Sequence, residues 1–204
     1  FYVLMNNDIE VLQENWMEQM LSNCERKEVG IVGARLYYSD NTIQHAGLVI
    51  GIGGSLRGIG ANLYQGMRRE RSGYLHRAAF QMNYSAVTAA LMMVKKEVYE
   101  KAGGFEEELS VAFNDVDFCL RVKEMGYLIV YDPLVEAYHY ESKSRGAEDS
   151  PEKVARFQSE IEFMRNRWEN LLKKGDPNYN IHFSRVRADY SLGDPEVILR
   201  QNRK

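Results

Sequence analysis

The stretch FNDVDFCLRVKEMGYLIVYDP, residues 113 to 133, carries two aspartates at the start of an amphipathic segment, and such carboxylates can cap a helix, hold a cation or take a proton. At about 100° per residue, Asp117, Arg121 and Glu124 share one stripe, while Phe118, Cys119, Val122 and Met125 gather on the other side. Asp117 is therefore expected to face solvent, paired with Arg121 four residues on, at the third position of a helix capped by Asn114. Asp115 falls near the direction of Cys119 and Val122, toward the body of the protein or a cleft. The helix N-terminus favours its charged form by about 0.3–1 kcal/mol, which keeps it ready to accept a proton; a purely structural role is the alternative. An EF-hand is excluded, because Phe118 and Leu120 occupy positions where that loop needs glycine and ligands.

Two further groups offer ligand chemistry. Asn6 and Asp8 follow the first apolar run, and in α/β sheets ligands gather outside the carboxyl ends of strands. A carboxylate with an amide oxygen two residues before it suits a hard divalent cation that also carries phosphates; a cap on a following helix is the alternative. His139 ends another extended run and leads into YESKSRG, where Lys143 and Arg145 can donate to phosphate oxygens. The glycines of GIGGSLRGIG miss the dinucleotide fingerprint, since Leu56 stands where its last glycine should be. His45 is expected to be buried or bound in a turn, and the Asn83-Tyr84-Ser85 sequon carries no weight in a cytoplasmic protein.

These residues need an α/β framework, and the patterning supplies one. FYVLM reads as a buried strand ended by NND, and helical spacing from Ile9 places Leu12, Trp16 and Met20 on one face. Extended segments are expected at 30–38 and 43–54, with a long irregular loop over 55–73. A central strand is expected over 84–94, then a short helix closed by Gly103, the Asp115 helix, and a strand to about His139. Ser-Pro-Glu at 150–152 opens one amphipathic helix over 150–174, with Val154, Phe157, Ile161, Met164, Trp168 and Leu171 on its apolar face, followed by an irregular tail over 175–204. The order β, α, β argues for a sheet flanked by helices.

The 204 residues, 45 % hydrophobic and 27 % charged, fit a single globular domain. A net charge of −3 gives no reason to propose nucleic acid as a partner. Cys24 and Cys119 lie far apart and in no metal-ligand spacing, which points to a reducing compartment, the cytoplasm. No apolar run is long enough to cross a bilayer. The chain opens on FYVLMNNDIEV, without Met and already inside a strand-like run, so a piece of a longer protein is expected.

Taken together and in order, LMNNDIEV, AALMMVKKEVYEKAGGFEEEL, NDVDFCLRVKEMGYLIVYDP and HYESKSRG resemble the second half of a bacterial family 2 glycosyltransferase of the GT-A fold, and KKGDPNYN resembles a segment that follows its last helix. The resemblance implies a mixed, Rossmann-like sheet flanked by helices. It also implies that Mn²⁺ or Mg²⁺ bridges the diphosphate of a nucleotide-sugar at an Asp-x-Asp motif. Asp8 matches the last carboxylate of that motif, and Asn6 replaces the first. Asp115 matches the base that deprotonates an acceptor hydroxyl, with Asn114 where the family carries Glu. His139 matches a further metal ligand, and Lys143 and Arg145 fall near the diphosphate. The implied reaction is inverting sugar transfer to a saccharide or lipid-linked acceptor in polysaccharide or glycoconjugate synthesis; a non-catalytic sugar-binding module is the competing class. A metal-dependent phosphatase or nuclease would need more clustered carboxylates. The family's nucleotide-base unit precedes Phe1. The chain is thus expected to bind free nucleotide-sugar poorly and to offer a sheet edge for self-association, and the full-length protein could lie at the inner face of the membrane.

Overall fold

The computed structural model describes residues 1–52, 58–140 and 150–194. Its strands are β1 (Tyr2–Met5), β2 (Ile9–Val11), β3 (Val29–Tyr37), β4 (Ile43–His45), β5 (Leu48–Ile50), β6 (Gly60–Asn62), β7 (Met82–Tyr84), β8 (Leu91–Val94) and β9 (Leu128–His139). The helices are α1 (Trp16–Cys24), α2 (Lys96–Ala102), α3 (Asn114–Glu124), α4 (Pro151–Arg167) and α5 (Glu169–Lys174).

Among the described residues, seven strands form one mixed sheet in the order β1-β8-β3-β9-β2, with β4 added to β3 and β7 to β9. β3 lies at its centre, buried along its whole length, antiparallel to β8 and parallel to β9. Alternate β3 residues feed two cores: Val32 meets Met20 and Cys24 of α1 on one face, and Ile31 joins Val98, Phe118 and Val122 of α2 and α3 on the other. A strand covered on both faces is apolar along most of its length, which is why GIVGARLYY shows no alternation; its charged residue, Arg35, donates to Arg69 O. The result is an α/β sheet flanked by helices, consistent with a GT-A-like Rossmann fold.

Several expectations are corrected. The first strand is an edge rather than a buried element, with Val3 and Met5 exposed on one side. The segment from Ile9 first forms β2, because its backbone pairs with the end of β9, and the helix begins only at Trp16. The apolar 84–94 run divides into the end of β7, an irregular passage over 85–90, and β8. The long C-terminal helix breaks at Trp168, whose indole Nε1 turns to donate to Asp117.

Other readings agree. Gly103 closes α2 at φ 81°, and Ser150 caps α4 by accepting from the Lys153 N–H, with Pro151 in its first turn. The described tail is irregular yet anchored: Asp176 accepts from Ser85 Oγ at 2.8 Å and from the Ile50 N–H at 2.8 Å.

Candidate functional site

The turn between β1 and β2 presents Asn6 and Asp8 against the last residue of β9. Register fixes this juxtaposition, because Ile9 pairs with His139 and the Tyr140 N–H donates to Asp8 O. Asn6 Nδ2 lies 3.1 Å and Asp8 Oδ1 3.2 Å from His139 Nε2. The other ring nitrogen, Nδ1, is 2.7 Å from Gln44 Oε1 on β4. A carboxamide oxygen can only accept, so Nδ1 carries the proton and Nε2 keeps its lone pair.

That tautomer makes the pocket electron-rich. Asp8 Oδ1 is buried and accepts no hydrogen bond, yet it faces the Nε2 lone pair. Nε2 accepts from Asn6 Nδ2, while Asp8 Oδ1, with no donor against it, calls for a cation or for a second proton on the ring. Among the described residues no three His, Cys, Asp or Glu side chains converge as ligands. A metal here would therefore rest on Asp8 Oδ1 and His139 Nε2, with the Asn6 amide turned to present its oxygen in place of Nδ2, and would take its remaining oxygens from elsewhere, a donor set that fits Mg²⁺ or Mn²⁺ carried with substrate phosphates.

Asp115 is linked to the Asn6 turn through the 85–90 passage. The Asn6 N–H donates to Ala90 O at 2.9 Å, and the neighbouring Ala89 N–H donates to Asp115 Oδ2 at 3.2 Å. Asp115 Oδ1 accepts from the Val116 N–H at 2.8 Å, and the Thr88 hydroxyl also bonds the carboxylate. Burial pushes the Asp115 pKa up, and the bonds from Ala89, Thr88 and Val116 partly offset it. A carboxylate raised in this way is a stronger proton acceptor than an exposed one.

The inward direction read for Asp115 agrees with this position, whereas the solvent-facing reading of Asp117 is overturned. Asp117 is fully buried: Oδ2 accepts from Arg121 Nε at 2.8 Å, Oδ1 accepts from Trp168 Nε1 at 2.9 Å, and Arg167 Nε lies 3.4 Å away. The pairing with Arg121 was legible in the sequence, but the indole that roofs that side of α3 comes from 51 residues away. Asn114 is the first helical residue rather than the cap. Phe113 precedes it at φ 64°, and Asn114 Oδ1 accepts from the Asp115 N–H at 2.7 Å. Lys143 and Arg145 lie outside the described residues.

Three supporting groups surround the site; His45 was expected to be buried, while Gln44 and Glu160 carried no sequence signal. Gln44 sets the His139 tautomer. His45 on β4 is buried and approaches the Thr88 N–H with Nε2 at 3.4 Å; burial holds its pKa down at about 4, so it is neutral there. Glu160 on α4, fully buried, accepts from the Val111 N–H at 2.9 Å, the Ala112 N–H at 3.2 Å and Ser110 Oγ at 3.3 Å, pinning the segment that launches α3. Phe157, one turn earlier, stacks on Phe113 with ring centroids 5.7 Å apart.

The chain is similar over most of its length to much longer proteins. It is 47 % identical over 193 residues to the uncharacterized protein y4gI of Sinorhizobium fredii, an alignment covering 94 % of this chain and 21 % of that one. It is 34 % identical over 190 residues to the O-antigen biosynthesis protein RfbC of Myxococcus xanthus, covering 93 % of this chain and 14 % of the relative. An N-acetylglucosaminyl-diphospho-decaprenol L-rhamnosyltransferase of Mycobacterium tuberculosis is 27 % identical over 81 residues, 40 % of this chain and 26 % of that enzyme. No family model matches. The chain thus spans about a fifth or less of the first two relatives, and the relatives whose names state a role make O-antigen or transfer rhamnose.

Proposed function

We propose that this chain is the acceptor-side part of a family 2 glycosyltransferase catalytic domain, acting in polysaccharide or glycoconjugate synthesis. It would transfer a sugar from a nucleotide-diphosphate sugar to an acceptor hydroxyl. What supports the reading is that the turn carrying Asn6 and Asp8 lies against His139, and that the Asn6 N–H bonds Ala90 O, next to the Ala89 N–H that donates to Asp115. The O-antigen and rhamnosyltransferase relatives support it.

In this reading Asp115 removes the proton from an acceptor hydroxyl, whose oxygen attacks the anomeric carbon as the bond to the nucleoside diphosphate breaks, so the anomeric centre inverts. The Ala89 N–H and the Thr88 hydroxyl hold the carboxylate in a fixed orientation for that transfer. Asp8, His139 and Asn6 would hold a divalent cation, which when bound neutralises the charge developing on the departing diphosphate. Gln44 keeps His139 in the tautomer such a role needs.

Donor hydrolysis and transfer in the presence of Mn²⁺, compared for the native protein and Asp115→Asn, provide the test. A large loss in the variant is expected, and equal turnover would sink the base assignment. A second reading, a sugar-binding module without turnover, draws on Asn6 and Asn114 standing where the resembling family carries carboxylates; saccharide binding with no turnover in either protein would favour it.

A further inference from the structure

Away from the site, two segments separated by about a hundred residues build one surface. The loop over 68–80 and the tail over 181–192 are stitched by Tyr74, whose ring stacks on Tyr190 at 5.7 Å and meets Phe183 edge-on at 5.3 Å. The Phe183 backbone in turn bridges Leu192. The loop is set firmly in place: the Arg35 guanidinium donates to Arg69 O at 2.9 Å, and the Tyr131 hydroxyl donates to Ala78 O at 2.8 Å. Its tip is strained, with Leu75 and His76 both left-handed at φ 48° and 58°, and Ser72 Oγ lies 2.6 Å from His76 Nδ1.

This rigid frame holds apolar side chains out in water. Leu75 is 68 % exposed, Phe80 60 %, Val186 74 % and Leu192 77 %, with Tyr74 and Ile181 also exposed. Arginines surround them. The two segments contain Arg68, Arg69, Arg71, Arg77, Arg185 and Arg187 against only Glu70 and Asp189, a local excess of four positive charges in a chain whose net charge is −3. Not every arginine is free: Arg69 donates to Tyr138 and Arg77 sits over the Tyr190 ring, while Arg68 faces Glu70 at 3.7 Å and Arg187 faces Asp189 at 3.9 Å, all four of those side chains largely exposed.

We propose that this surface docks the protein on a bilayer bearing anionic headgroups, with Leu75 and Phe80 entering the headgroup boundary and the arginines meeting the lipid phosphates. The combination selects that occupant. Aliphatic tips have no use against a nucleic-acid backbone, and a two-fold contact between copies of this face would set like charges together. Clusters of basic residues beside exposed apolar and aromatic side chains suit an anionic membrane interface. Among the described residues no helix is long and apolar enough to cross a membrane. The inference stands apart from the sugar-transfer reading and holds whatever the chemistry of the site.

Co-sedimentation with vesicles tests it, using phosphatidylcholine alone and an equal mixture of phosphatidylcholine and phosphatidylglycerol. The native chain should sediment with the mixed vesicles only, and binding should weaken steeply as NaCl rises. Replacing Arg68 and Arg71 together by Ala should lower the partition coefficient about thirtyfold, at the strength expected per basic side chain near such a surface. Leu75→Ser with Phe80→Ser should abolish sedimentation while circular dichroism stays unchanged. Equal binding to both vesicle types, binding indifferent to salt, or no binding by the native chain overturns the proposal. So does self-association that the same substitutions disperse without any vesicle binding; the native protein's salt and lipid dependence decides the matter even if a variant fails to fold.

Discussion

Removing the Glu160 carboxylate should unfasten the segment that carries Asp115. In Glu160→Ala, the Val111 and Ala112 N–H groups and the Ser110 hydroxyl lose a charged acceptor held at 2.9, 3.2 and 3.3 Å, and Arg156, 3.9 Å away, loses its i,i+4 counter-ion. Hydrogen bonds to a charged group contribute roughly 1.5–3 kcal/mol each. Two of the three here are long, and residues 110 to 112 are not fully buried, so water can take up part of the loss. A net destabilisation of about 3 kcal/mol follows, within the range for breaking a buried charged pair. With a urea slope of roughly 2–3 kcal/mol per molar, the unfolding midpoint should fall by about 1–1.5 M. Glu160→Gln keeps an acceptor but turns an NH₂ group toward donors, and should lose about half as much. Hydrogen exchange at Val111 and Ala112 should quicken by about a hundredfold or more in Glu160→Ala, in proportion to that free energy. A midpoint shift under about 0.3 M, or unchanged exchange at those two amides, would refute the claim that α4 clamps the base.

Further expectations concern pH and packing. Asp115→Asn should reduce turnover by roughly 10²–10⁴-fold, the usual contribution of a positioned base. Because burial raises the Asp115 pKa above its ordinary 3.8, the acid limb of the native pH–rate profile should sit above that value. The same shift contributes stability that is fully present below the unfolded pKa and lost as pH rises through the folded one, so urea titrations should show Asp115→Asn gaining on the native protein as pH rises from below 3.8. His45 has the opposite sign: with its pKa lowered from 6.5 to about 4, the unfolded chain binds the extra proton, and stability should fall as pH drops across that window. The full loss is about 3 kcal/mol by linkage, and His45→Gln should flatten the native slope there. Gly33→Ala would set a methyl 2.5 Å from the Val87 Cβ in the passage that bonds Asp115, and a thermal melt should register a loss of about 1–3 kcal/mol, typical of overpacking.

The features legible in the sequence were those decided locally. The Gly103 stop, the Ser150-Pro151 start and the strand over β3 each follow from backbone conformation or from burial on both faces. The inward turn of Asp115 also follows from helix geometry alone. What failed depended on partners far along the chain. A wheel drawn on α3 sees two sides, whereas the folded helix is covered on a third by Trp168 and Arg167, which is why Asp117 is buried. Ile9–Val11 carries apolar spacing compatible with a helix, but the backbone of β9 takes it as a strand. Gln44 and Glu160 stayed unnoticed because a buried polar side chain that serves others looks, in sequence, like any other polar residue. Asn6, Asp8 and His139 read, from the residues alone, as separate strand-end groups; the family resemblance joined them, and the pairing of β2 with β9 sets them side by side.

The parallel pairing of β3 with β9 also dictates a schedule for synthesis. Ile31 pairs with Ile129, and even its antiparallel neighbour Val94 on β8 comes long after it. At ribosomal speeds of about 5–20 residues per second, roughly 5–20 s pass between the making of β3 and the making of its parallel neighbour. Through that interval β3 can pair only with β4 and then β8, and the side that β9 will take stays open. Folding of the central sheet must wait until the residues of the site's last strand have left the ribosome.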